Sequence, residues 1–226
     1  MQILWMLALR DLIGGVDHWQ TLIAGFFAIG AALIGGQYIL RQIDEARLEG
    51  NESRSRKFKA LRAVLPLTLS YIMVYLRDSG TALKQIYKQK EDQVIPGTIE
   101  LPTFPVLPKD VVSQLQEIVE TGSEEVGDLV SDMLAKIQVQ SARVESLISW
   151  RRHPDSTLIT TTNIERYIID TAEIYCIASG MFDFARRKSN VVCNETTQDG
   201  LASALNQLGF WSEDYPSVHN LMRETT

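Results

Sequence analysis

Metal and nucleophile sites are most often built from histidine and cysteine, and this 226-residue chain holds three of the first and two of the second. His18, His153 and His219 lie far apart, so no His-Glu-x-x-His segment sets two imidazoles on one helix face for zinc, and no repeated Glu-x-x-His suggests a di-iron bundle. Cys176 falls on an apolar helical face, as a small core residue would, and Cys193 in an expected loop. Two cysteines supply neither a disulfide framework nor a zinc quartet, and the pair reads as free thiols in a reducing compartment. Gly-x-Ser-x-Gly and Gly-x-x-x-x-Gly-Lys are both absent. The expectation is a protein with no catalytic residues, no metal and no cofactor.

His153-Pro154-Asp155 resembles the loop motif of J-domain co-chaperones over three residues. In that family a short basic helix precedes the motif and a lysine follows it. Here the preceding helix is long and acidic near its start, and Ser156 follows Asp155. The tripeptide therefore reads as turn chemistry.

Two other patterns carry physical content. Ala24, Ala28, Ala32 and Gly36 recur every fourth residue, a small-xxx-small ladder on one face of a helix. In a bilayer, where lipid tails solvate leucine as well as a partner does, such a smooth face lets a second helix approach closely. The ladder implies a protein partner or a homodimer. Arg41, Arg47, Arg54, Arg56, Lys57, Lys59 and Arg62 form a basic cluster that serves as a topology signal or as a contact for anionic membrane lipid.

The ladder lies in Trp19–Leu40, 22 residues without a charged side chain. At about 1.5 Å rise per residue such a helix spans about 33 Å, enough for a hydrocarbon core of about 30 Å. Residues 17–40 are thus read as a transmembrane helix. Residues 1–16 are read as an interfacial helix, with Trp5, Leu9 and Leu12 toward lipid, broken at Gly14-Gly15 before the span. No cation precedes Trp5 other than the amino terminus, which argues against a cleaved secretory signal. Only Arg10 flanks the span on its N-terminal side, against the seven cations of the juxtamembrane segment 41–62 on the other. The positive-inside rule then puts the N-terminus outside and the larger domain in the cytoplasm.

Charge is uneven along the chain. Residues 41–90 hold 11 Lys/Arg against 5 Asp/Glu, whereas residues 91–226 hold 10 against 21. An acidic distal part argues against nucleic acid as a partner, because phosphate contacts need clustered cations.

A second apolar run, Ala60–Leu76, contains Arg62 and Pro66 and leaves only 14 uninterrupted residues from Ala63, too few for a usual span. Leu61, Leu65, Ile72, Leu76, Leu83 and Ile86 recur at helical spacing and predict the core face of a bundle helix. The alternative is a two-pass accessory or transport subunit in which residues 60–76 also insert. Prolines 96, 102, 105 and 108 make residues 91–108 an extended connector, with Ile99, Leu101, Phe104 and Val106 expected along the bundle surface. Three further helices are predicted. The first covers 108–120, and the second runs from a Ser123 N-cap to about Trp150. The third opens on a Thr162-x-x-Glu165 capping box and runs to Arg186-Arg187-Lys188. A short helix over 198–208 and a last turn near 218–223 complete an all-α chain, a single transmembrane helix followed by a bundle of about four main helices over residues 52–226.

Trp19-Gln-Thr-Leu-Ile-Ala-Gly25 and Ala60-Leu-Arg-Ala-Val-Leu-Pro-Leu67 together resemble a loose group of uncharacterised single-pass proteins from alphaproteobacteria. The resemblance implies a bacterial inner membrane and a helical cytoplasmic part, and it transfers no functional residue. A membrane-anchored interaction module, an adaptor or sensor subunit, is the function expected. An enzyme with an unrecognised site is the other alternative.

Overall fold

The computed structural model describes the backbone of residues 2–152, 158–192 and 196–225, and the side chains of 26, 30, 32, 33, 35–152, 158–192 and 196–224. Every named element is helical: α1 (Gln2–Tyr87), α2 (Lys109–Thr121), α3 (Glu124–Arg152), α4 (Thr161–Gly180), α5 (Phe182–Ala185), α6 (Gln198–Gln207) and α7 (Pro216–Thr225). The chain divides into two units, residues 1–54 and residues 55–226.

The first unit is helical throughout its described backbone. The break expected at Gly14-Gly15 does not occur. A glycine inside a helix costs about 1 kcal/mol relative to alanine, a local penalty that a long cooperative helix absorbs. Trp5, Leu9 and Leu12 lie outside the residues whose side chains are described.

In the second unit the core begins on α1. Leu65, Leu69, Ile72, Leu76, Leu83 and Ile86 are all buried, while Val64, Leu67, Tyr71 and Val74 on the opposite side are exposed. One helix therefore shows a wide apolar stripe to its neighbours and a mixed face to its surroundings. Pro66 sits inside the helix, and near it Ser70 Oγ donates to the Pro66 carbonyl at 2.7 Å. Thr68 Oγ1 crosses to α2 and donates to Gln114 Oε1 at 2.6 Å.

Pro108 occupies the N-cap position of α2, whose Val111, Leu115 and Ile118 are buried at helical spacing. Gly122 ends the helix, and a Cβ there would lie 2.8 Å from the Ile118 carbonyl oxygen and 3.3 Å from the Phe58 ring. Glycine is required at 122 by that close approach. Helix α3 starts with Glu124 and Glu125 and finishes with Arg151 and Arg152, charges that match the helix dipole at both ends. It packs on α2 and on α4, and α4 in turn packs on α6 and α7.

Three polar contacts set the antiparallel register of α3 against α4. Lys136 Nζ meets Glu173 Oε2 at 2.8 Å, Gln140 Nε2 donates to Thr171 Oγ1 at 2.7 Å, and Arg143 pairs with Asp170. As the α3 numbers rise, the α4 numbers fall. The Glu173 carboxylate holds the Lys136 ammonium above its ordinary range, against the opposing effect of burial.

The capping box of α4 is Thr160 with Asn163, not Thr162 with Glu165. Backbone pairing decides the position: Ile95 N–H donates to the Ile159 carbonyl and Thr161 N–H to the Gln93 carbonyl, each at 2.9 Å. Those bonds hold Thr160 extended, at φ −89° and ψ 159°, the conformation an N-cap needs. Helix α4 also stops at Gly180, earlier than the expected Arg186-Arg187-Lys188, and the chain passes through Met181 into the single turn of α5.

The proline-rich connector carries no helix over 91–108. Ile99 is buried and Leu101 and Phe104 pack partly against the core, while Val106 lies at the bundle surface, 88% exposed.

Candidate functional site

The ladder residues Ala24 and Ala28 lie in α1 outside the described side chains, while Ala32 and Gly36 are exposed. A Cβ placed on Gly30, Gly35 or Gly36 would meet nothing within 4 Å. The low-relief face is open space wherever it is described.

The seven basic residues do not act alike. Arg41 and Arg47 are exposed in the helical first unit, within about 11 Å of Leu40 along the helix axis at 1.5 Å per residue. Arg54 is exposed about 21 Å along, beyond the Debye length of about 8 Å at physiological salt. In the second unit Arg56 and Lys59 are exposed, and Lys57 pairs with Glu117 at 3.4 Å and Glu120 at 3.9 Å. Arg62 turns into the bundle: its Nε donates to the Phe184 carbonyl at 2.9 Å, its Nη2 to the Ser189 carbonyl at 2.6 Å, and its guanidinium lies 4.0 Å from the centre of the Phe184 ring. Burial, and then the nearby Arg187, depress its pKa below the ordinary arginine value. The sequence grouped Arg62 with a topology signal or an anionic-lipid contact, and in the fold it fastens the α5 turn to α1.

His153-Pro154-Asp155 and Cys193 lie outside the described residues. His18 is in α1, outside the described side chains. His219 is buried, and its Nε2 lies 2.9 Å from the Phe210 carbonyl oxygen, which can only accept, so Nε2 carries the proton. Cys176 is half-buried, beside Ser179, Gly200 and Ser203 in a cavity of about 490 Å³ between α4 and α6. Among the described residues no three His, Cys, Asp or Glu side chains are grouped as metal ligands would be.

A cluster the sequence reading passed over lies at the C-terminal end of α1. Lys84, Tyr87, Lys88, Lys90, Asp214 and Tyr215 line a cavity of about 570 Å³. Lys84 Nζ donates to the Gly209 carbonyl and stands 5.6 Å from the centre of the Phe210 ring and 5.3 Å from that of Tyr215. Gly209 has φ +83°, a left-handed turn that suits glycine, and a Cβ there would approach Lys84 Nζ to 3.0 Å. Lys90 Nζ donates to Tyr87 Oη at 2.8 Å and lies 4.0 Å from that ring's centre. Tyr87 Oη donates to Glu165 Oε1 at 3.1 Å, behind the cavity wall, and is 2.8 Å from Ser217 Oγ. Burial, with Asp214 and Tyr87 adding to it, pushes the Tyr215 phenol up and keeps it protonated at neutral pH. The segment Lys84-Gln-Ile-Tyr-Lys-Gln-Lys90 was the available signal, but its partner Tyr215 comes from the far end of the chain.

Fold and site together define an all-helical protein with a long apolar N-terminal helix followed by a helical bundle. Among the described residues, the stretch Gly35–Tyr87 of α1 is long and apolar enough, by length and composition, to cross a membrane, and 44% of its most apolar window is buried within the protein. In comparisons with known proteins, no family model matches the chain, and no curated protein or solved structure is significantly similar to it.

Proposed function

We propose that the chain is a single-pass protein of a bacterial inner membrane, with its N-terminus outside and residues 55–226 in the cytoplasm, and that this helical domain binds another protein. The single crossing rests on one observation. In the run 60–76, Leu65, Leu69, Ile72 and Leu76 are buried within the bundle, so one apolar face of this second run is used by the domain itself. The apolar span 19–40 is free of charged residues over a length that matches a bilayer core, and Arg41 and Arg47 follow it where headgroups and the cytoplasmic leaflet would hold them. Partner binding is supported by an apolar groove of about 470 Å³ that includes Tyr75, Phe104, Val106, Val144 and Ile148, with Val106 almost fully exposed at its rim.

Topology mapping tests this reading. Single cysteines placed at Ser55 and Ser217, in a background lacking Cys176 and Cys193, are expected to react with a membrane-permeant maleimide and to resist an impermeant one in intact cells. Labelling of the Ser217 position by the impermeant reagent with Ser55 still protected would establish two crossings, and labelling of both would invert the single one; either overturns the reading. For the ladder, Ala28→Leu with Ala32→Leu is expected to abolish self-association in a membrane two-hybrid assay if a second copy is the partner in the bilayer; an unchanged signal rejects the homodimer.

A further inference from the structure

The cavity at the end of α1 is walled by three ammonium groups, two phenols and one carboxylate. Among the described residues, none of Lys84, Lys88 and Lys90 forms an ion pair. Lys84 is held by a carbonyl and two ring faces, and Lys90 by a phenol, all of them neutral groups. The lining itself keeps a net charge of two positives, with Asp214 as its one carboxylate and the Glu165 carboxylate screened from it behind the Tyr87 phenol. Tyr87 and Tyr215, with ring centres 5.5 Å apart, supply a largely buried aromatic wall beside those charges.

From this arrangement we infer that the cavity binds a small phosphomonoester whose organic part lies on the tyrosine wall. A phosphomonoester carries close to two negative charges at neutral pH, the number the lining leaves unmatched. Lysine holds phosphate as a point charge from several directions, whereas planar carboxylates favour the arginine fork, and the lining has no arginine. Lys88 is exposed and free to move onto a ligand, Lys90 stands exposed on Tyr87 at the rim, and Lys84 is fixed by Gly209 and sets the depth of the site. A volume near 570 Å³ exceeds what inorganic phosphate fills and accommodates an attached ring or short chain. This site is independent of whether the N-terminal helix crosses a membrane.

The test uses the full chain in neutral detergent micelles, titrated with phenyl phosphate at low salt and followed by 31P NMR and calorimetry. Saturable binding is expected, tighter than for inorganic phosphate, and weakened by about tenfold or more in Lys88→Gln/Lys90→Gln, as the loss of charge-assisted contacts requires. Lys88→Gln alone, at a side chain with no hydrogen bond among the described residues, is expected to weaken binding severalfold with an unchanged melting temperature. Arg186→Gln/Lys188→Gln, which removes two exposed cations elsewhere, is expected to bind as the parent does. Absence of saturable binding, equal affinity in the Lys88 and Lys90 variants, or an equal loss in the Arg186 and Lys188 variant would each overturn the site. Succinate binding as tightly as phenyl phosphate would overturn the phosphate assignment.

Discussion

Leu76→Ala is expected to lower the unfolding free energy of the domain by about 2 to 5 kcal/mol, whereas Leu67→Ala, nine residues earlier in the same apolar run, is expected to change it by no more than about 0.5 kcal/mol. Leu76 is 0% exposed and Leu67 is 59% exposed. Truncating a buried leucine removes its transfer free energy and leaves a cavity that the surrounding side chains fill only in part. Truncating an exposed one removes little that the unfolded chain does not also lack. The contrast separates the two membrane readings. In a lipid-inserted helix, hydrocarbon surrounds both positions and the hydrophobic effect distinguishes neither, so the two substitutions would have similar and small effects. Urea denaturation of the full chain in micelles measures the difference, and equal midpoints for the two variants would remove the bundle assignment of residues 60–76. Ile72→Ala with Val74→Ala repeats the comparison within one turn, since Ile72 is buried and Val74 half exposed.

Much of the helical architecture was legible because burial follows a period of 3.6 residues and needs no partner to be visible. The spacing of Leu61, Leu65, Ile72, Leu76, Leu83 and Ile86 marks a core face whatever packs on it; the last five are buried, and Leu61 is partly buried against them. The positions that misled are those where a distant segment decides the local outcome. Thr160-x-x-Asn163 and Thr162-x-x-Glu165 both offer a capping pattern, and the choice falls to pairing between residues 93–95 and 159–161, which the local sequence does not encode. Glu165, expected to reach back to a helix start, is instead buried and accepts from Tyr87. The lysine and tyrosine cavity is hidden for the same reason. Lys84, Tyr87, Lys88 and Lys90 look like a solvated helix end until the turn through Gly209 and the start of α7 bring Phe210, Asp214 and Tyr215 beside them.

The basic cluster shows how one sequence pattern can divide into separate physical roles. Positive-inside arguments weigh Arg41 and Arg62 equally, because they count charge along the chain. In the fold Arg41 is exposed, whereas Arg62 is half-buried and makes two hydrogen bonds to carbonyls and a stacking contact. Nη2 and Nε of one planar guanidinium reach two carbonyls, the Phe184 oxygen within the α5 turn and the Ser189 oxygen after it, a fork that fixes the turn's orientation as well as its distance. Arg187, in a left-handed conformation at φ 60°, completes the same turn and donates weakly to the Lys59 carbonyl at 3.4 Å. The interactions are coupled, so their contributions do not add.

Arg62→Ala is therefore expected to destabilise the domain by about 2 to 3 kcal/mol, the scale of losing charge-assisted hydrogen bonds together with a cation–π contact. Arg62→Lys is expected to recover less than half of that, because a single ammonium on a flexible stem cannot hold both carbonyls at once. Arg41→Gln, at an exposed site in the first unit, is expected to leave the denaturation midpoint unchanged and to act on membrane orientation alone, read by the maleimide assay at Ser217. The pairing of readouts matters, since a pure topology role at Arg62 predicts the reverse: full retention of stability in both Arg62 variants and a shift in orientation for Arg62→Ala. Limited proteolysis after Arg186, Arg187 and Lys188 gives a local measure of the same contact. Cleavage there should accelerate in Arg62→Ala before any global unfolding, as the α5 turn loses its attachment while the α3–α4 pair, held by Lys136–Glu173 and Arg143–Asp170, stays closed. Unchanged cleavage together with unchanged stability would return Arg62 to the topology signal from which the fold has separated it.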